Sequence, residues 1–178
     1  MLMAFVFDTE TNGLSENRSI KLERQPHLIE FYGCLVDLAH GKILFDYETL
    51  VKPPKLIEQE IADITSINNN MLKDAPSFAE VADKIISSIE AAPLVIAHNA
   101  SFDKEIIDIE ANRLGRIVNW PRVLCTVEQT IHLQGKRLTL TNLHQHLFNE
   151  KFADAHRAKV DTRALVRCCV ELVKRGEL

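Results

Sequence analysis

The sequence predicts an α/β fold, a mixed five-stranded sheet flanked by helices on both sides, and three observations carry that prediction. The first third of the chain alternates turn residues with apolar runs of strand length; the remainder alternates short apolar runs with helical periodicity; and the first apolar run is short, apolar on both faces and cut off by a carboxylate. With 178 residues and 46% hydrophobic content, the chain has the length and apolar content of one compact domain over 1–178 with a substantial core.

Taken in order, Ala4 to Phe7, Leu28 to Leu38 and Lys42 to Val51 read as three sequential, hairpin-linked strands, punctuated by Gly41 and the Pro53-Pro54 pair. From Pro76 the period changes. Val81, Ile85 and Ile89 recur at helical spacing, and Pro93 ends that helix before the strand-like run Leu94 to Ala97. A helix from about Phe102 to Leu114 stops at Gly115, a short strand follows near Val123 to Cys125, and helical stretches lie near Val127 to Leu133 and Leu140 to Phe148. The last helix carries Leu165, Cys168 or Cys169, and Leu172 on one face. The strand ending at Asp8 is expected at the centre of the sheet, because a run apolar on both faces is one that helices cover on both sides. The order of elements is ribonuclease-H-like, and function has to be argued from the site rather than from that order.

Composition narrows the function classes. A net charge of −4 argues against gripping long duplexes with a broad basic face, yet is compatible with holding a few terminal nucleotides beside a cluster of acids. Cys34, Cys125, Cys168 and Cys169 lack metal-ligand spacing, so reduced and mostly buried thiols are expected, and structural zinc is not. The apolar run Met1 to Phe7 has neither a basic flank nor a small-residue cleavage site and is far too short for a membrane span; it reads as a buried strand of a cytoplasmic protein.

Three segments carry the chemistry. In Phe5-Val6-Phe7-Asp8-Thr9-Glu10-Thr11-Asn12-Gly13-Leu14, the period of two places Asp8 and Glu10 on the same side of the sheet, where their repulsion calls for a hard, oxygen-seeking cation. Two solvated acids before a glycine turn are the plainer alternative. In Leu94-Val95-Ile96-Ala97-His98-Asn99-Ala100-Ser101-Phe102-Asp103, an apolar strand runs into a polar turn, and Asp103 falls in the first turn of a helix, where the macrodipole alone favours an acid. Asn99 and Ser101 also suit capping, and His98 a satisfied buried position. In Asp154-Ala155-His156-Arg157-Ala158-Lys159-Val160-Asp161, Asp161 belongs to the last helix. His156, five positions earlier, fits the preceding loop, from which it can swing toward Asp161.

The conjunction of these segments resembles the DEDDh branch of the DEDD 3′-to-5′ exonucleases, which includes proofreading subunits and domains of bacterial DNA polymerases, ribonuclease T and oligoribonuclease. Asp8-Thr9-Glu10-Thr11-Asn12-Gly13-Leu14 looks like the first motif, His98-Asn99-Ala100-Ser101-Phe102-Asp103 like the second, and His156-Arg157-Ala158-Lys159-Val160-Asp161 like the third. His27-Leu28-Ile29-Glu30, Ile64-Thr65-Ser66-Ile67 and Leu138 to Leu147 also fall where the family has characteristic segments. The departures are Asn12 where many members have a second threonine, Ser66 where glycine is common, and Cys125 where aspartate is frequent.

The resemblance implies an exonuclease fold and metal-dependent hydrolysis of phosphodiester bonds from the 3′ end of single-stranded nucleic acid, DNA favoured over RNA, giving nucleoside 5′-monophosphates. Asp8, Glu10, Asp103 and Asp161 are the implied ligands of two divalent cations, Mg²⁺ or Mn²⁺, with Asp8 shared and Asp103 acting directly or through water. His156 is the implied general base, an imidazole being suited to proton transfer near neutrality. Thr9, Thr11, Leu14, Asn99 and Phe102 are the candidates for seating the terminal nucleotide, and Arg157, Lys159 and Arg163 for touching phosphates. The implied partners are 3′ ends of single-stranded DNA or RNA, with a DNA polymerase or a second copy of the chain as candidate protein partners and no membrane. Two rival readings are a catalytically silent docking module on the same scaffold and a phosphohydrolase with Asp8 as nucleophile. The second expects an aspartate where Glu10 stands, and a downstream lysine with paired acids that the sequence does not supply.

Overall fold

The computed structural model describes residues 2–14, 21–152 and 156–178. Three strands, β1 (Met3–Thr11), β2 (Leu28–Asp37) and β3 (Lys42–Leu50), form an antiparallel meander; β4 (Val95–Ala97) and β5 (Val123–Cys125) then add on the other side of β1, parallel to it. The sheet order is β3-β2-β1-β4-β5. As expected for an apolar strand ending in a carboxylate, β1 is central, and its carboxyl end and that of β4 open on the same edge of the sheet.

Alternation along β1 divides the core. Phe5 and Phe7 face a layer made by α3 (Phe78–Glu90) and α4 (Ala100–Arg113), whereas Ala4 and Val6 face α8 (Ala158–Arg175). Phe5, Phe7 and Phe31 stack against one another, and Trp120 closes over Phe7. Gly33 is required beneath them: a Cβ there would lie 2.3 Å from Cζ of Phe5. The apolar stripe of α3 is the predicted one, with Val81, Ile85 and Ile89 buried, and the helix starts at a capping box in which the Ser77 amide donates to Glu80 at 2.7 Å. On α8, Leu165, Cys168, Cys169 and Leu172 are all buried, and α7 (Leu140–Phe148) packs beside it. The four cysteines are free thiols, Cys125 only partly buried.

Several local expectations are revised. The helix expected from Phe102 begins at Ala100, because Asn99 turns the chain through the left-handed region at φ 68°. The stretch expected over Val127 to Leu133 is two short helices, α5 (Thr126–Gln129) and α6 (Ile131–Gln134), parted at Thr130, whose hydroxyl and amide both bond the Thr126 carbonyl. Two short helices, α1 (Gln59–Thr65) and α2 (Asn69–Leu72), follow the Pro53-Pro54 pair; their exposed faces gave no apolar periodicity to read. Among the described residues no helix is long and apolar enough to cross a membrane.

Candidate active site

Asp8 and Glu10 project from the face of β1 that meets α8, as period-two geometry requires, and Asp161 comes down on them from the first turn of α8. One carboxylate oxygen from each of the three lies within 4.8 Å of the other two, and all three side chains keep partial contact with solvent. Asp103 is not part of that group. It is 2% exposed, in the first turn of α4, and its Oδ1 accepts from both the amide (3.0 Å) and the hydroxyl (2.7 Å) of Thr9. Thr9 points to the α4 side of β1, so the same strand presents two acids to α8 and anchors a third carboxylate on α4 through the residue between them.

Crowding shows in the acids' proton affinities. Burial, reinforced by the charges of Asp103, Glu10 and Asp161, holds Asp8 well above the usual carboxylate range. Glu10 is pushed up to about 8 by burial and then by Asp161, Glu30 and Asp103. Asp103 rises to about 7 through burial, against the two Thr9 hydrogen bonds that favour its anion, and burial raises Asp161 as well. An all-carboxylate donor set whose members resist ionising side by side fits a hard divalent cation, which would supply the missing positive charge.

His156 is exposed and precedes α8 on a turn, as its spacing from Asp161 suggested; its backbone adopts φ 70°, and its amide donates to Oδ2 of Asp161 at 2.8 Å. Asp154 and Ala155, the start of the third segment, lie outside the described residues. Of the residues expected to seat a nucleotide, Thr9 is buried and occupied with Asp103, and Thr11 is buried with its hydroxyl on the Gly13 carbonyl at 2.5 Å. Leu14 is 82% exposed, Asn99 is exposed and accepts from Arg137, and Phe102 is half-buried against the core. Asn12 accepts from the His27 amide at 2.6 Å, tying the loop after β1 to the start of β2.

The cations expected at phosphates already have partners within the fold: Arg157 binds Glu30, Lys159 binds Glu48 at 2.5 Å, and Arg163 bonds Tyr32. Glu30 enters the sequence reading only within the segment His27-Leu28-Ile29-Glu30, with no role of its own. Its signal was a carboxylate near the start of the apolar run Leu28 to Leu38, at a position that the covered strand leaves 1% exposed and directly opposite Glu10 in register.

His98, open to two readings in the sequence, is a pinned internal residue. Its Nδ1 pairs with the Thr126 hydroxyl at 2.9 Å and its Nε2 with the Leu138 carbonyl at 3.0 Å, and burial pushes its pKa down to about 4.

Comparison with known proteins places this arrangement. The DNA polymerase III of PolC type from Caldanaerobacter subterraneus subsp. tengcongensis is 34% identical over 172 residues, which cover 96% of this chain and 11% of the polymerase. The chain therefore spans about a tenth of the length of the curated relatives it matches. Among solved structures, the nuclease domain of 3′hExo, a DEDDh family member bound to rAMP, superimposes with a TM-score of 0.81 at 14% identity, over 98% of this chain and 92% of that one. Exonuclease X in complex with 5′-overhanging duplex DNA superimposes with a TM-score of 0.69 at 21% identity, over 97% and 93%. These likenesses show the ribonuclease-H-like exonuclease fold. The exonuclease family model typified by ribonuclease T matches residues 5–168, a span that begins in β1 and ends in α8 and so contains every acid described above: the chain belongs to the DEDDh 3′-to-5′ exonuclease family.

Proposed function

We propose that this chain is one exonuclease domain that removes nucleoside 5′-monophosphates from the 3′ end of single-stranded nucleic acid, DNA in preference to RNA, in a metal-dependent reaction. The observation that carries the reading is the convergence of Asp8, Glu10 and Asp161 within 4.8 Å. In this reading Asp8, Glu10 and Asp161, with Asp103 fixed by Thr9 in support, would hold the divalent cations, Mg²⁺ or Mn²⁺. Such cations, when bound, acidify water and neutralise charge gathering on phosphate oxygens.

The chain's own residues supply the rest. His156, exposed on its turn, accepts the proton of the attacking water as a neutral imidazole. Leu14 and Phe102 offer apolar surface to the terminal base without regard to its identity, and Thr11 and Asn99 border the same sheet edge. Preference for DNA is supported by the relatives, which are DNA polymerases III of PolC type, and a polymerase is the partner we favour. Proofreading is the role that follows.

The test is digestion of 5′-labelled single-stranded DNA and RNA with Mg²⁺, with a chelator, and with Asp8→Ala. A ladder shortening from the 3′ end of DNA faster than RNA, abolished by chelation and by the substitution, is expected. Strands bound but uncut by the wild-type domain would overturn the reading in favour of a docking module.

A further inference from the structure

The turn that carries His156 is gripped from two sides. Toward α8, Oδ2 of Asp161 accepts the His156 amide at 2.8 Å, and the Arg157 carbonyl accepts the Asp161 amide at 3.0 Å. Toward the sheet, Glu30 of β2 takes the next two residues. Its Oε1 accepts from Nε and Nη2 of Arg157 at 3.1 and 2.6 Å, and its Oε2 from Nε at 3.2 Å and from the backbone amide of Ala158 at 2.8 Å. Ala158 opens α8 and Arg157 precedes it without a side-chain cap of its own. Glu30 thus caps the helix from another strand, satisfying an amide that helix geometry leaves unpaired.

A non-glycine residue at φ 70° is strained and persists only where its surroundings over-determine it. Here they do: the backbone from His156 to Ala158 is held between a carboxylate of the metal-binding group and a buried carboxylate on β2. Burying Glu30 beside Glu10, in the acids' own neighbourhood, is costly and would be unnecessary if α8 needed only an N-cap, which a Ser or Asp at its own N-terminus provides. The Glu30–Arg157 pair joins the strand next to Asp8 and Glu10 with the turn bearing His156 and the helix bearing Asp161, so it fixes the two halves of the site to each other.

We propose that Glu30 and Arg157 are positioning residues that hold His156 in register with the carboxylates, a role resting on the exonuclease reading. Their planar, two-toothed geometry explains arginine rather than lysine at 157, because a guanidinium meets both carboxylate oxygens through a fixed fork while an ammonium meets them as a point. A device of this kind acts on proton transfer and leaves strand binding alone.

The experiment compares wild type, Arg157→Lys, Arg157→Ala and Glu30→Gln by steady-state cleavage of labelled single-stranded DNA with Mn²⁺, by calorimetric Mn²⁺ titration, and by amide hydrogen exchange across 156–161. Arg157→Ala and Glu30→Gln are expected to lower kcat at least tenfold with KM within twofold and Mn²⁺ affinity within about threefold. Added imidazole should restore part of the loss, Arg157→Lys should fall between, and the 156–161 amides should exchange faster. Unchanged kcat in folded Arg157→Ala, or a loss tracking Mn²⁺ affinity and indifferent to imidazole, overturns the positioning role. Arg157 is partly exposed, so its variants test the idea even where Glu30→Gln fails to fold. An inactive wild type whose Arg157→Ala variant still frees the 156–161 amides would instead overturn the exonuclease reading and leave the clamp standing.

Discussion

The acids of the site are separated by task at the level of single residues. Asp8 and Glu10 point to α8, Thr9 between them points to α4 and holds Asp103, and the backbone amide of His156 meets Asp161 from a left-handed turn. Two consequences can be measured here. His156→Ala is expected to reduce kcat by about 10²- to 10⁴-fold, the usual worth of a positioned base, with Mn²⁺ affinity kept, since the imidazole is not among the converging oxygens; a parallel loss of Mn²⁺ in calorimetry would make it a ligand instead. Asp8→Asn removes a charge that burial and four neighbouring acids oppose, so the metal-free protein should melt at the same temperature or higher while cleavage is lost. A lower melting temperature would give Asp8 a structural role.

At the level of elements, two backbone positions show how closely the pieces fit. The Phe5 ring lies over Gly33, across the β1–β2 pair, and a methyl group there would meet Cζ at 2.3 Å and Cε1 at 2.7 Å. Gly33→Ala should therefore cost roughly 1–3 kcal/mol in urea unfolding, since the stacked rings have no room to yield. Ser66 closes α1 at φ 57°, ψ 19°, the left-handed conformation that glycine adopts freely, which gives a physical reason for glycine being common at this place in the family. Ser66→Gly should stabilise by roughly 0.5–1 kcal/mol, and a destabilised variant would mean that the serine side chain contributes more than its strained backbone costs.

For the whole molecule, the crowded acids are a source of instability that a bound divalent cation would offset. The folded state holds protons on Glu10 up to about pH 8 and on Asp103 up to about pH 7, whereas the unfolded chain releases them near the ordinary values of 4.5 and 3.8. Between those limits the folded state binds more protons, so the stability of the metal-free protein falls as pH rises through that window. Urea midpoints without metal are expected to drop from about pH 5 to about pH 8, and Mg²⁺ should reduce the drop; a metal-free midpoint that rises over the same range would contradict the crowded-acid description.

Much of this is legible in the sequence alone. Period two along β1 placed Asp8 and Glu10 on one face, the apolar character of that run made it central, and five-residue spacing put His156 ahead of the helix of Asp161, because strand and helix periods are local geometry written in sequence. The same logic gave the buried faces of α3 and α8. What local periodicity could not give were relations between residues remote in the chain. That Thr9 faces inward to Asp103, 94 positions away, and that Glu30 reaches Arg157 across 127 positions depends on which strands become neighbours and how α8 lies over them. Partners of buried polar groups are chosen by packing, where an unpaired charge is too costly to leave alone, and packing exists only once the chain has folded.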